Sequence, residues 1–209
     1  MKLKLTLVYF FVVLFLASFH YKSTKIFDGK TFSGWEGDTK NTWSIKENAL
    51  WGGSLMTTVP LNNFLCTKKS YGDFILKLKF KLENKGGFCN AGVQFRSQRL
   101  KNPAHEMTGY QADLGPGYWG ALYDESRRDV VLMSPDSNLI KKNLKVNDWN
   151  EYEIIAIKNR IQIKLNGVKT VDYIEADSSI PKFGLIGLQV HGGGKTLVGY
   201  KDIHIQTVE

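Results

Sequence analysis

Phe74-Ile-Leu-Lys-Leu-Lys-Phe-Lys-Leu82 alternates without a break. Phe74, Leu76, Leu78, Phe80 and Leu82 share one side of an extended chain, and Lys77, Lys79 and Lys81 share the other. A period of two predicts a strand with one face buried and one face wet. The same reading extends along the chain. Residues 151–157 and 161–165 are rich in β-branched side chains and flank Asn159-Arg160, which predicts a hairpin. Asn166-Gly167 tolerates positive φ and predicts a tight turn into a strand over 168–173. Residues 184–191 and 200–208 predict two closing strands. No segment keeps a helical period over three turns. Many short strands with regular turn signals predict an all-β sandwich or barrel, with most of Trp35, Trp43 and Trp51 in its core.

The 209 residues are 43% hydrophobic, enough for one sizeable core, and this length favours one domain over two. The net charge of +8 includes Lys2 and Lys4, which belong to a segment apart from the fold. The remaining lysines are scattered, and the longest basic pairs are Lys68-Lys69, Arg127-Arg128 and Lys141-Lys142. Without a dense basic stripe or a nucleic-acid module, no nucleic-acid partner is expected. Met1-Lys2-Leu3-Lys4 is a short basic start, and residues 5–19 are almost wholly apolar. That predicts a signal peptide or N-terminal anchor over 1–22 and a single domain over 23–209. The expected location is therefore periplasmic, secreted or outer-surface, with membrane contact only through an uncleaved N-terminus. Export permits a Cys66–Cys89 disulfide, and two separate buried thiols are the alternative.

In three segments the side chains at i and i+2 are polar among apolar neighbours: Gln94/Arg96, Gln111/Asp113 and Gln189/His191. A strand alternates its faces, so each pair is expected to project one way. A merely solvated face usually carries lysine, glutamate and threonine. These positions carry planar hydrogen-bonding groups with an acid, a cation and a histidine, which suit sugar hydroxyls. Gly115-Pro-Gly-Tyr-Trp-Gly120 follows the second pair, so Tyr118 and Trp119 are candidates for stacking on a pyranose ring. Asp124 and Glu125 precede Arg127 and Arg128, either as an ion-pair cluster or as groups that orient a ligand.

These residues carry a resemblance. Ile26-Phe-Asp-Gly-Lys-Thr-Phe-Ser-Gly-Trp35, Trp43-Ser-Ile, Asn90-Ala-Gly-Val-Gln-Phe-Arg96 and Gly109-Tyr-Gln-Ala-Asp113 occur in order. Trp149-Asn-Glu-Tyr-Glu-Ile154, Leu165-Asn-Gly167 and Gly187-Leu-Gln-Val-His191 follow. The series resembles the 3-keto-disaccharide hydrolase domain family across about residues 26 to 208. The resemblance implies a concanavalin-like jelly roll, two antiparallel sheets with a concave sugar-binding face. By motif, Arg96 matches the arginine that ends the family's N-x-G-x-x-x-R strand, and His191 matches the histidine of G-L-Q-x-H. The family commonly reads G-Y-E-x-Q where this chain has Gly109-Tyr110-Gln111-Ala112-Asp113, so the acid moves two residues and keeps its face.

A ketone at C3 of a glycoside acidifies the hydrogen on C2. Removal of that proton lets the C1 oxygen leave, and water then adds to the enone. This chemistry needs a base, an acid and a group that stabilises the enolate. Asp113 and His191 are the expected base and acid in either order, and Arg96 is expected to stabilise the enolate oxygen or to hold a hydroxyl. Gln94, Gln111, Glu125 and Gln189 are expected to bind hydroxyls, beside Tyr118 and Trp119. No cofactor is expected. A divalent cation on the ketone is compatible with Asp113, Glu125 and His191, although no tight ligand spacing supports it. A non-catalytic carbohydrate-binding module is the rival reading, because fold does not fix function.

Overall fold

The computed structural model describes residues 23–208, and the N-terminal segment read as a signal or anchor lies outside the described residues. Strands β1 (Thr24–Lys25), β2 (Trp35–Glu36), β3 (Trp43–Lys46), β4 (Ala49–Gly53) and β5 (Asn63–Thr67) come first. Next are β6 (Phe74–Gly87), β7 (Ala91–Arg99), β8 (Met107–Leu114), β9 (Leu122–Glu125) and β10 (Val130–Met133). Helix α1 (Ser137–Asn143) precedes β11 (Asn150–Ile157), β12 (Arg160–Leu165), β13 (Val168–Ile174), β14 (Leu185–Val190) and β15 (Gly194–Thr207). One sheet runs β13-β12-β11-β6-β15-β4-β3, with β1 also on β15, and the other runs β10-β9-β8-β7-β14-β5-β2. All of these strand pairings are antiparallel, which gives a jelly-roll sandwich. Among the described residues, no helix is long and apolar enough to cross a membrane.

The alternation in β6 works as its sequence predicts. Phe74, Leu76, Leu78, Phe80 and Leu82 are buried in the core, opposite Val93, Phe95, Leu188 and Val190 of the other sheet. Lys77 and Lys79 stay outside, paired with Glu153 and Asp202. The turn at Asn166-Gly167 has positive φ at both residues and closes the β12–β13 hairpin. The preceding hairpin turns one residue earlier than expected, on Lys158-Asn159, because Ile157 pairs with Arg160. Helix α1 spans only two turns, too short for a helical period to stand out, and is capped by the Asp136 carboxylate. Trp35 and Trp43 are core, whereas Trp51 is half-buried outside, edge-on to Trp149. Cys66 and Cys89 are free thiols, and Cys66 lies against Met107 with its Sγ 3.3 Å from Sδ.

Alternation fails at one residue that matters. The β7–β8 register slips between Phe95 and Gln98, and Arg96 has φ of 49°. This bulge turns the Arg96 side chain off the Gln94 face and into the end of the sandwich. There its Nε donates to Gly72 O at 3.0 Å, Nη1 to Lys158 O at 2.8 Å, and Nη2 to Ala156 O at 3.0 Å and Asp73 Oδ1 at 2.7 Å. Arg96 thus staples β7 to the β11–β12 turn of the opposite sheet. Ser97 takes the vacated place and donates to Gln94 Oε1 at 2.6 Å.

Candidate functional site

The outward face of the seven-stranded sheet carries two cross-strand rows. One reads Asp113, Gly92, Gln189 and Phe64 across β8, β7, β14 and β5. The next reads Tyr123, Gln111, Gln94, Gly187 and Cys66, beginning on β9. The expected faces therefore hold for Gln94, Gln111, Asp113, Gln189 and His191, but not for Arg96. Phe64, Cys66 and Met107 fill one part of this face with apolar side chains. Elsewhere it opens as a pocket of about 110 Å³ lined by Asn90, Gln111, Asp113, Glu125 and His191, together with Phe88, Tyr118 and Tyr123.

Gln111 is the hub of the pocket. Its Nε2 lies 3.3 Å from Asp113 Oδ1 and 3.3 Å from Glu125 Oε2, so one amide joins two carboxyl groups. Its Oε1 accepts from Gln94 Nε2 at 3.2 Å, and Gln94 is held in turn by Ser97. Asp113 Oδ1 also accepts from Asn90 Nδ2 at 3.0 Å and from the Leu114 N–H at 3.2 Å. Burial pushes the Asp113 carboxyl up to about 7 against those donors. Burial also pushes Glu125 up to about 8, helped by the negative charges of Glu106 and Asp113. His191 sits edge-on to Phe88, with ring centroids 4.7 Å apart. Its Nδ1 lies 2.7 Å from Gly192 O, so the neutral ring keeps its proton there and leaves a lone pair on Nε2.

Two phenols from the opposite sheet fix this face from behind. Tyr152 of β11 is fully buried and donates to Asp113 O at 2.6 Å, while accepting from Gly120 N at 2.9 Å. Tyr200 of β15 shares its proton between Gly92 O at 3.0 Å and Gln189 O at 2.9 Å. Three neighbouring positions of the first row therefore hang on hydroxyls that cross the core.

The other candidate residues separate. Tyr118 lines the pocket, but Trp119 turns away and lies parallel to the core ring of Phe80 at 6.3 Å. Of the two rings expected to stack on a sugar, only Tyr118 stands at the pocket. Asp124 and Glu125 also part company. Asp124 pairs with Arg127 and Arg128 on the core side, and Arg128 reaches Glu175 at 2.8 Å, whereas Glu125 enters the pocket. Gln189 is fully buried, and neither amide atom has a hydrogen-bond partner among the described residues. Asn90, Tyr123 and Phe88 join the pocket without having been singled out. Tyr123 stands two residues before Glu125, so the period-two rule could have found it. Phe88 has no comparable signal.

Gly92 leaves room for the hub. A Cβ there would lie 2.4–2.7 Å from the Gln111 side chain, closer than packed atoms allow. Gly92→Ala should therefore push Gln111 off both carboxyl groups. If the pocket turns over substrate, kcat/KM should fall by about 10²-fold, with a stability loss of about 1–3 kcal/mol. Unchanged turnover in a folded variant would remove Gln111 from any active role.

Solved structures share this architecture. A family 66 carbohydrate-binding module from Bacillus subtilis matches with a TM-score of 0.64 and 17% identity, over 83% of this chain and 96% of its own. A candidate glycosyl hydrolase from Parabacteroides distasonis matches with 0.66 and 19%, over 90% of this chain and 94% of its own. A galectin-like protein of unknown function from Bacillus subtilis matches with 0.66 and 11%, over 89% and 94%. At these identities the likeness carries the fold alone. Curated protein sequences give no significant match.

A jelly-roll sandwich of two antiparallel sheets, with a polar, carboxyl-bearing pocket on one of them, defines the class of fold and site. Within it, the chain belongs to the 3-keto-alpha-glucoside-1,2-lyase-like domain family, whose model matches residues 22–206.

Proposed function

We propose that the pocket cleaves 3-keto-glycosides by elimination and hydration. One observation carries this reading: a single amide, Gln111 Nε2, joins the buried Asp113 carboxyl and the half-buried Glu125 carboxyl beside His191. Carboxyl groups raised to about 7 and 8 still hold a proton near neutral pH, as a general acid must. The His191 Nε2 lone pair is the complementary base. In this scheme His191 takes the C2 proton and electron density moves onto the C3 oxygen. The enolate then expels the C1 oxygen, which receives a proton from Asp113 or Glu125. Water adds to the enone at C1, and a proton returns to C2. The Tyr118 and Tyr123 hydroxyls are the pocket's candidate donors to the C3 oxygen, a role the buried Arg96 guanidinium cannot reach. Among the described residues, no three His, Cys, Asp or Glu side chains group as metal ligands would.

His191→Ala should lower kcat on a 3-keto-glucoside by about 10²–10⁴-fold, and a plain glucoside should not be cleaved by either protein. The carbohydrate-binding module among the structural neighbours favours a second reading, binding without chemistry. Tight binding of the keto sugar by the wild type, with no turnover, would establish that reading instead. An exported location rests on the basic start and apolar run of residues 1–19. Recovery of the intact protein from the cytoplasmic fraction would count against it.

A further inference from the structure

Asn62 stands between two groups with opposite needs. Its Oδ1 accepts from Gly192 N at 3.0 Å, and its Nδ2 donates to both oxygens of Glu106, at 2.9 and 3.2 Å. A peptide N–H only donates and a carboxylate only accepts, so a single orientation of the amide satisfies both. The bond to Glu106 is charge-assisted and holds the amide plane in that orientation. Glu106 is anchored in turn, because its N–H donates to Pro103 O and its carbonyl accepts from Leu100 N. Gly192 then carries the arrangement to the pocket. Its carbonyl oxygen lies 2.7 Å from His191 Nδ1, and among the described residues it is the hydrogen-bond partner of that ring. Only a glycine lets the chain approach this closely. A Cβ at position 192 would lie 2.8 Å from Leu61 Cα and 2.9 Å from the Leu61 carbonyl carbon. The turn after β14 is therefore seated on Leu61 and pinned by Asn62. A chain of contacts runs from the Glu106 carboxylate through Asn62 and Gly192 to the imidazole.

We propose that Asn62 and Glu106 are positioning residues, which hold Gly192 so that its carbonyl keeps the His191 proton on Nδ1 and leaves the Nε2 lone pair facing the pocket. The effect on turnover rests on the reading of His191 as the base, whereas the effect on the ring does not. Which ring nitrogen carries the proton is set by the bond that the other makes. A Gly192 carbonyl out of line with Nδ1 frees the proton to move to Nε2, where it blocks the abstraction of a substrate proton. Asparagine suits position 62 for a stated reason. Aspartate there would keep an acceptor for Gly192 N but would set one carboxylate against another at Glu106.

Nitrogen NMR of the His191 ring at alkaline pH tests this without any substrate. The wild type should show one tautomer, with the proton on Nδ1. Asn62→Ala and Asn62→Asp should each give a mixture of tautomers or the Nε2–H form. The double variant Asn62→Asp/Glu106→Gln exchanges the two ends of the clasp, an amide now donating to a carboxylate that also accepts from Gly192 N, and should restore the Nδ1–H form. On a 3-keto-glucoside the two single variants should lose about 10- to 100-fold in kcat, with KM within about threefold of the wild type, and the double variant should recover most of the loss. A wild-type ring protonated on Nε2 would overturn the proposal. So would a lone Nδ1–H tautomer in either single variant, and a double variant no better than Asn62→Asp would overturn the part given to Glu106. The double variant keeps the test open if Asn62→Ala does not fold. Failure of the keto-sugar reading would look different: no protein would turn over the substrate, and the tautomers would still change as expected.

Discussion

Asp113→Asn should make the protein more stable at alkaline pH and nearly inactive. The substitution keeps the Oδ1 acceptor that Asn90, Gln111 and the Leu114 N–H require. It removes the ability to ionise and puts an NH2 group in place of Oδ2, which accepts none of those three bonds. Burial raises the folded Asp113 carboxyl from an ordinary 3.8 to about 7, so between those values the folded protein binds more protons than the unfolded chain. Stability therefore falls as pH rises through that window and levels off above it. Glu125, raised to about 8, extends the same slope. In the Asn variant the Asp113 share disappears, a gain of about 2–4 kcal/mol at pH 9. At pH 4 the two proteins should differ little. If Asp113 is the acid that protonates the leaving oxygen, turnover should fall by about 10²–10⁴-fold. Urea unfolding at pH 4 and pH 9, with kcat on a 3-keto-glucoside, reads both effects. An Asn variant less stable than the wild type at pH 9 would contradict the burial account.

Arg96→Ala should be the most damaging single change outside the hydrophobic core. The guanidinium is almost fully buried and makes four hydrogen bonds, three to backbone carbonyls and one to Asp73. Removing it orphans those acceptors and separates β7 from the β11–β12 turn. The expected loss is about 3–5 kcal/mol, or a fall in Tm of about 6–20 °C. Arg96→Lys should recover only part of it, since one ammonium cannot span the fork. If the pocket turns over substrate, folded variant assayed at low temperature should keep kcat/KM within about threefold, a change of under 1 kcal/mol in barrier. An unaltered Tm with collapsed turnover would instead return Arg96 to the reaction.

Arg96 also marks where the sequence stops being readable. Period-two alternation placed Phe74 to Leu82 correctly, and it put Gln94, Gln111, Asp113, Gln189 and His191 on one face. It failed at Arg96 because a bulge shifts parity by one residue, and parity carries no compositional trace. Gly184 makes room for the bulge, and that is visible only in three dimensions: a Cβ there would lie 2.5 Å from the Arg96 carbonyl carbon. Tyr118 and Trp119 mislead for a related reason. Neighbours on a loop have no fixed period, and these two point into different environments. The phenols of Tyr152 and Tyr200 lie in the core. Their partners lie 39 residues away for Tyr152 and 108 and 11 away for Tyr200, so no local pattern could assign them.

Those two phenols have a thermodynamic consequence. They hold the backbone at Asp113, Gly92 and Gln189 from inside the core, so this row of the sheet is set in place by the same event that joins the sheets. The entropy of ordering that row is met during folding and does not recur at each encounter with a ligand. A mobile-loop site must order itself every time it closes. Here the backbone behind Asp113 is already ordered before a ligand arrives, which removes that part of the cost of association.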